Sequence, residues 1–92
     1  MMNRSDLITK YKHTLTLKNY SANTINAYLN GLASFLKYVQ DQELKEVTEN
    51  DLNSYFYFCK NELGYSYSMM KQLLASVKFL YQEVLKKYLL RA

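Results

Sequence analysis

The sequence lacks proline and has only two glycines, Gly31 and Gly64, among its 92 residues. An all-β fold needs many tight turns, and those turns depend on the two residue types that are scarce here. Nearly half of the residues are apolar, counting ten tyrosines, so the chain can still build a folded core. The sequence therefore predicts an all-α fold, a compact four-helix bundle.

Residues that carry catalysis and bind metals are also scarce. A single cysteine, Cys59, excludes an internal disulfide, and with a single histidine, His13, it cannot complete a zinc site. Arginine occurs only as Arg4 and Arg91, and no glycine-rich stretch is available for a phosphate-binding loop. His13 has no nucleophile–base signature around it. We therefore interpret the chain as a binding module rather than an enzyme, with no cofactor and no metal.

No apolar run approaches the roughly 20 residues that are needed to span a bilayer. The amino terminus lacks the apolar core of a signal peptide. These two absences predict a cytoplasmic protein with no membrane partner.

Positive charge dominates outside one segment of the chain. Between Asp41 and Asp51 there are five acids and one lysine, whereas the rest of the chain carries eleven Lys or Arg against three acids. One edge of the protein should therefore be acidic and the remainder basic, which suits a polyanion on the basic side. A surface that only keeps the protein soluble would show the same imbalance, so charge alone leaves both interpretations open.

Amphipathic periodicity predicts four helices, at about residues 6–17, 22–40, 49–63 and 67–89. The residues placed to cap them are Ser5, Ser21, Thr48 (with Asp51 in a capping box) and either Ser66 or Ser68. The predicted core consists of apolar positions at helical spacing: Leu7, Ile8, Tyr11, Leu15; Ile25, Tyr28, Leu29, Leu32, Phe35, Leu36, Val39; Leu52, Tyr55, Phe56, Cys59, Leu63; Met70, Leu73, Leu74, Val77, Leu80, Tyr81, Val84, Leu85 and Tyr88.

The second and fourth predicted helices begin alike. Tyr20-Ser21 opens one and Tyr65-Ser66 opens the other, 45 residues later, and in each a polar cluster precedes the apolar stripe. The first backbone N–H groups of a helix have no partner within the helix, and they suit an anion such as phosphate. Two such helices in a small basic domain suggest a clamp on nucleic acid, although plain capping would explain the serines equally well.

One position on the second helix and one face of the fourth helix indicate close contacts. Gly31 costs about 1 kcal/mol relative to Ala inside a helix, so we expect another helix, or alternatively a DNA backbone, to approach it. On the fourth helix, Lys71, Ala75 and Lys78 fall on one line, with cations at both ends and a small residue between them. Such a line could sit against a groove, and an ordinary solvated helix face would have the same pattern.

These segments resemble the core-binding domain of tyrosine recombinases (the phage integrase family), also called the SAM-like amino-terminal domain. The family pattern of Ser, two variable residues, Thr, three variable residues and Tyr stands here as Ser21, Thr24 and Tyr28. The stretch 47–55 is similar to the family's third-helix start, and Gly64-Tyr65-Ser66 with the apolar residues after it is similar to the fourth. The resemblance covers roughly residues 7–88.

The resemblance implies a SAM-like four-helix domain that forms one half of a C-shaped clamp around double-stranded DNA. Its helices 2 and 4 would cross and present their amino-terminal portions to the major groove and the backbone. Carried over by position, the DNA-binding residues are Ser21, Asn23, Thr24, Asn26, Ser68, Lys71, Gln72 and Lys78. Their hydroxyls and amides suit phosphate contacts, whereas Gln72, Asn26 or Lys71 could reach base edges.

The family's catalytic domain, with its tyrosine nucleophile, lies downstream of this region and is absent from the sequence. None of the ten tyrosines is therefore assigned as a nucleophile. We expect a fragment of a longer integrase rather than a standalone module, and the missing catalytic domain of the same parent chain is an expected partner.

DNA binding in site-specific recombination is the leading hypothesis, and two others stay open. A helical protein–protein interaction module could dock a partner through the Tyr57–Phe58 side or the acidic connector. A helix-turn-helix regulator fits less well, because the predicted helices are long and their connector is acidic.

Overall fold

The chain folds into helices where polar caps give way to apolar stripes. The computed structural model describes residues 3–40 and 42–86, which form the helices α1 (Arg4–Leu17), α2 (Ala22–Val39), α3 (Glu49–Asn61) and α4 (Tyr67–Phe79). A 3₁₀ turn, Leu44–Glu46, lies between α2 and α3, and a π-helical turn, Leu80–Val84, continues α4. These described residues contain no β-strand, and the predicted all-α, four-helix fold is confirmed.

The N-caps show how local sequence starts each helix. The side chains of Ser21, Thr48 and Ser66 each accept a hydrogen bond from the backbone N–H three residues later, as the sequence predicts. In α3 the Asp51 carboxylate also accepts from the Thr48 N–H at 2.9 Å, which completes the capping box. The prediction of Ser5 as the cap of α1 was wrong. Asn3 caps this helix, because its Oδ1 accepts from the Asp6 N–H at 2.8 Å and leaves Ser5 inside the first turn.

The carboxyl-terminal ends of α2, α3 and α4 differ from the predicted boundaries. Helix α2 ends at Val39 because Gln40 takes a positive φ of 51°. Helix α3 ends at Asn61, so Leu63 lies beyond it and is 49% exposed rather than buried.

The fourth helix is regular only as far as Phe79. Beyond it the Leu85 N–H donates to the Leu80 carbonyl at 2.8 Å, a π-type bond that spans five residues. Leu80, Tyr81 and Val84 are buried through this turn. The last predicted helical positions, 87–89, lie outside the described residues, and they include Tyr88 of the predicted core.

The core follows the predicted stripes, apart from a few positions at their edges. The buried apolar residues are Leu7, Tyr11, Leu15, Leu32, Phe35, Val39, Leu44, Val47, Leu52, Tyr55, Cys59, Leu73, Val77, Phe79, Leu80, Tyr81 and Val84. Ile8 and Leu74 were predicted to face inward, but they are 41% and 39% exposed. Each follows a buried leucine by one residue, and a step of one residue turns the side chain about 100° away from the buried line.

Two buried tyrosines tie separate elements together. The Tyr11 hydroxyl donates to the Ser76 carbonyl and the Tyr81 hydroxyl donates to the Leu44 carbonyl, both at 2.8 Å. Burial raises the pKa of both phenols well above its ordinary value. They therefore stay neutral, and each adds a second hydrogen bond to a carbonyl that also accepts from a backbone N–H.

Helices α2 and α4 share the largest helix–helix contact, and they cross at Gly31. A Cβ atom on Gly31 would lie 2.3 Å from the Ser76 Oγ and 2.7 Å from the Ser76 Cβ. Ser76 is completely buried, and its Oγ donates to the Gln72 carbonyl at 2.9 Å. The expectation that another helix approaches Gly31 is confirmed, and the neighbouring helix is α4.

We expect Gly31→Ala to lower the free energy of unfolding by roughly 1–2 kcal/mol. Overpacking costs about 1–3 kcal/mol, and better helix propensity returns at most about 1 kcal/mol. Urea denaturation would measure the change. Asn30→Ala is the matched control, since it improves propensity on the exposed side of the same helix. Equal stability of the two variants would contradict a close approach at Gly31.

The capping box predicts a specific loss of stability in acid. The hydrogen bond from the Thr48 N–H holds the pKa of Asp51 below its ordinary value of 3.8. A carboxyl group with a lowered pKa in the folded state contributes stability above its ordinary pKa, and that stability is lost as pH falls through the folded value. Asp51→Asn should therefore be less stable than wild type at neutral pH, with a smaller difference near pH 3. Thermal unfolding at both pH values would test this, and a difference that does not depend on pH would contradict it.

Candidate nucleic-acid interface

The crossing of α2 and α4 determines which parts of the two helices meet. Gly31 lies against Ser76. Tyr28 lies one turn before Gly31 in α2, and its ring centroid is 5.6 Å from that of Phe79, which lies about one turn after Ser76 in α4. The two helices therefore run in opposing senses at the contact. As a result, the first turn of α2 lies toward the end of α4, near Lys78. Lys71 lies on the other side of the crossing, about 7 Å of helix rise before Ser76.

The first turn of α2 is fixed by a short turn after α1. Asn19 takes a positive φ of 64°, a conformation that asparagine tolerates better than most residues. Ser21 then caps α2: its Oγ accepts from the Thr24 N–H at 3.3 Å and donates to the Thr24 Oγ1 at 3.0 Å. Of the candidate residues here, Asn23 and Asn26 are exposed with Ser21, whereas Thr24 is half-buried.

An aromatic cluster holds this first turn in place. The Tyr20 and Tyr28 rings stack with their centroids 5.6 Å apart, and both pack edge-on against Phe79. Tyr11 also packs edge-on with Phe79, with their ring centroids 5.1 Å apart. Burial, and then the proximity of Tyr20, raises the pKa of Tyr28. The cluster fixes the position of the polar start of α2 relative to the end of α4.

The candidate residues of α4 have different degrees of exposure. Ser66 caps the helix by accepting from the Met69 N–H at 3.2 Å, so Ser68 lies within the first turn and is exposed. Lys71 is exposed, and its Nζ lies 5.6 Å from the centroid of the Tyr67 ring. Gln72 and Lys78 are half-buried. The structure therefore brings Lys78 to the start of α2 and leaves Ser68 and Lys71 on the far side of the crossing.

A surface cleft of about 290 Å³ opens where the start of α2 meets the end of α4. We call it the Tyr20–Tyr28 cleft, and it is lined by Lys18, Tyr20, Tyr28, Ala75, Lys78, Phe79, Gln82 and Glu83. The Lys18 Nζ lies 3.1 Å from a carboxylate oxygen of Glu83. Ala75, predicted as the low centre of the lysine line, contributes a small side chain to this cleft.

Comparison with known proteins identifies the fold. The family described as "Phage integrase, N-terminal SAM-like domain" matches residues 7–90, which is nearly the whole sequence. The chain belongs to this family. No curated protein matches it.

In this integrase SAM-like domain, the two crossing helices carry no acidic residue. Helix α2 carries Lys37, helix α4 carries Lys71 and Lys78, and all eight acids of the sequence lie outside both helices. The acidic connector and the first turn of α3 hold most of these acids. The charge asymmetry of the sequence therefore corresponds to a contrast between the acidic connector and the helices α2 and α4, which carry no acid.

Several exposed residues beside the predicted ones were not predicted from the sequence. Asn30 and Lys37 continue the exposed line of Asn23 and Asn26 along α2, at the same helical spacing. Tyr67 is 73% exposed beside Lys71. Helical spacing alone could have found the residues on α2, but the pairing of Lys18 with Glu83 joins residues 65 positions apart and has no signal in the sequence.

A second, larger cavity of about 780 Å³ lies between the start of α1, the connector and the π-helical turn, away from the α2–α4 crossing. Burial raises the pKa of the Cys59 thiol, which is consistent with a structural residue in the core. Among residues 3–40 and 42–86, no three His, Cys, Asp or Glu side chains come together as a metal site would require. No helix in this part of the chain is long and apolar enough to cross a membrane.

Proposed function

We propose that this domain binds double-stranded DNA, as the core-binding domain of a site-specific tyrosine recombinase that acts in DNA integration and recombination. The observation that carries the proposal is that the two crossing helices, α2 and α4, lack acidic residues and present hydroxyl, amide and ammonium groups to solvent. A surface of hydrogen-bond donors without carboxylates suits the phosphate backbone. Membership of the integrase family supports the same function.

The proposed contacts divide according to their chemistry and position. Ser21 and Thr24, with Asn23 beside them, would contact phosphates at the start of α2, and Lys78 lies close enough to share that part of the backbone. Ser68 and Lys71 would contact phosphates beyond the crossing. Asn26, Gln72 or Lys71 would reach base edges, where amides pair with adenine and lysine with guanine.

The same proposal assigns the domain no chemistry of its own. The described residues supply a binding surface, and the catalytic domain expected in the parent chain would close the clamp and cut the DNA. One half of a clamp should bind DNA weakly and with strong salt dependence, on the order of 10⁻⁴–10⁻⁶ M, as for non-specific contacts. We place the domain in the cytoplasm, associated with the nucleoid when it is bound to DNA.

We expect Lys71→Glu to weaken binding to duplex DNA roughly tenfold, because it removes a cation and adds a like charge beside a phosphate. Fluorescence anisotropy at several salt concentrations would measure the affinity and its salt dependence. Lys60→Glu is the matched control, since it makes the same charge change on the exposed face of α3. Equal effects of the two variants would show that net charge alone, and not the α4 face, governs binding.

Ser21→Asp separates the capping role of Ser21 from its proposed phosphate contact. Aspartate caps helices as well as serine does, and its charge favours the helix amino terminus, so thermal stability should be kept or rise. DNA binding should nevertheless weaken severalfold, because a carboxylate would face a phosphate. Asn3→Asp makes the equivalent change at the cap of α1 and should leave DNA affinity nearly unchanged. If Ser21→Asp binds DNA as wild type does, Ser21 is only a cap.

The alternative of a protein–protein interaction module depends on the Tyr57–Phe58 side of α3. Tyr57 is 70% exposed, but Phe58 packs against Tyr38, with their ring centroids 5.3 Å apart. Of Tyr57 and Phe58, therefore, only Tyr57 presents a largely exposed ring. Amide chemical shifts recorded during a titration with duplex DNA discriminate between the two functions: changes on α2 and α4 support DNA binding, and changes confined to α3 would support the alternative.

A further inference from the structure

The Tyr20–Tyr28 cleft contains hydrogen-bond donors that suit an anion and one carboxylate that would repel it. Two ammonium groups, on Lys18 and Lys78, line it together with the two tyrosines. Among its lining residues Glu83 is the one acid, and it forms an ion pair with Lys18 at 3.1 Å. The side chains of Lys18 and Glu83 are 45% and 35% exposed, so solvent and ions can reach the pair.

The chemistry of the cleft suits one class of ligand. A phosphodiester carries a single negative charge and only accepts hydrogen bonds, whereas ammonium groups only donate and phenol hydroxyls can donate. The volume of about 290 Å³ is roughly ten times the share of one molecule in liquid water, so a phosphate group fits. Ala75 keeps this side of α4 low, and Tyr20, which directly precedes the N-cap of α2, brings the cleft next to the start of that helix.

We propose that the Tyr20–Tyr28 cleft binds a phosphate of the DNA backbone through Lys18 and Lys78, and that Glu83 limits this binding by holding Lys18 in the free protein. This inference rests on the proposed DNA-binding function. It adds Lys18 and Tyr20, which lie before α2, to the interface. It also assigns Glu83 an inhibitory role, because its carboxylate must give up Lys18 and then lies near a phosphate of like charge.

Glu83→Gln tests the proposal, because it removes the charge and keeps the size of the side chain. We expect it to tighten binding to duplex DNA about two- to fivefold, the range that corresponds to one partly exposed charge interaction. Its melting temperature should stay close to that of wild type. Glu46→Gln is the control, since it changes net charge equally in the connector, away from the residues that line the cleft. An equal gain in the two variants would overturn the proposal.

A second variant shows whether Glu83 acts through Lys18. Lys18→Met should weaken DNA binding by itself, and adding Glu83→Gln to it should restore only the part of the affinity that Glu83 removes by repelling the phosphate. If the full gain from Glu83→Gln persists without Lys18, the holding role of Glu83 is overturned. Phosphate contact at the cleft is overturned if Lys18→Met binds DNA as tightly as wild type.

These measurements also separate the cleft from the wider function. If Lys71→Glu weakens binding while Lys18→Met binds as wild type does and Glu83→Gln matches Glu46→Gln, DNA binding stands and the cleft proposal fails. If wild type shows no salt-dependent binding to duplex DNA, both proposals fail together.

Discussion

The absence of a side chain at Gly31 is the constraint on which the rest of the structure depends. It lets α2 approach α4 until the backbone of one helix meets the buried Ser76 of the other. The carbonyl of Ser76 accepts the Tyr11 hydroxyl, so α1 is tied to the same point. One contact thus sets the relative positions of three helices. The aromatic cluster around Phe79 then fixes the next turn of each helix on one side of the crossing.

The same crossing determines which side chains of α2 and α4 are buried and which stay exposed to solvent. Apolar residues of α2 and α4 are used in the core, and the polar residues left outside carry amides, hydroxyls and ammonium groups without a carboxylate. Under the proposed function Ser21 would serve both purposes, since its hydroxyl organises the first turn, whose remaining N–H groups have no partner within the helix. Stability and DNA binding would then be coupled in the first turn and separable at the exposed Lys71.

The fold could be predicted largely from the sequence, because helix periodicity, caps and the cost of Gly31 are local properties. The errors lie where a local signal had a competitor: Asn3 capped α1 in place of Ser5, and a π-type bond changed the end of the fourth helix. The candidate residues were predictable one helix at a time. Their neighbours from distant parts of the chain were not, because the ion pair of Lys18 with Glu83 and the cleft shared by Lys78 and Tyr20 depend on how the helices pack rather than on spacing.

The separation of charge between the connector and the crossing helices also bears on how the domain would meet a polyanion. Most acids of the described residues lie around the 3₁₀ turn and α3, and none lies on α2 or α4, so the connector and the crossing helices differ in charge. Within a Debye length, about 8–10 Å at ordinary salt, the field of the polyanion would rotate the domain before any contact forms. More collisions would then begin in a productive orientation, and an encounter through the connector would be repelled. The placement of carboxylates would thus govern the rate and direction of association as well as its strength.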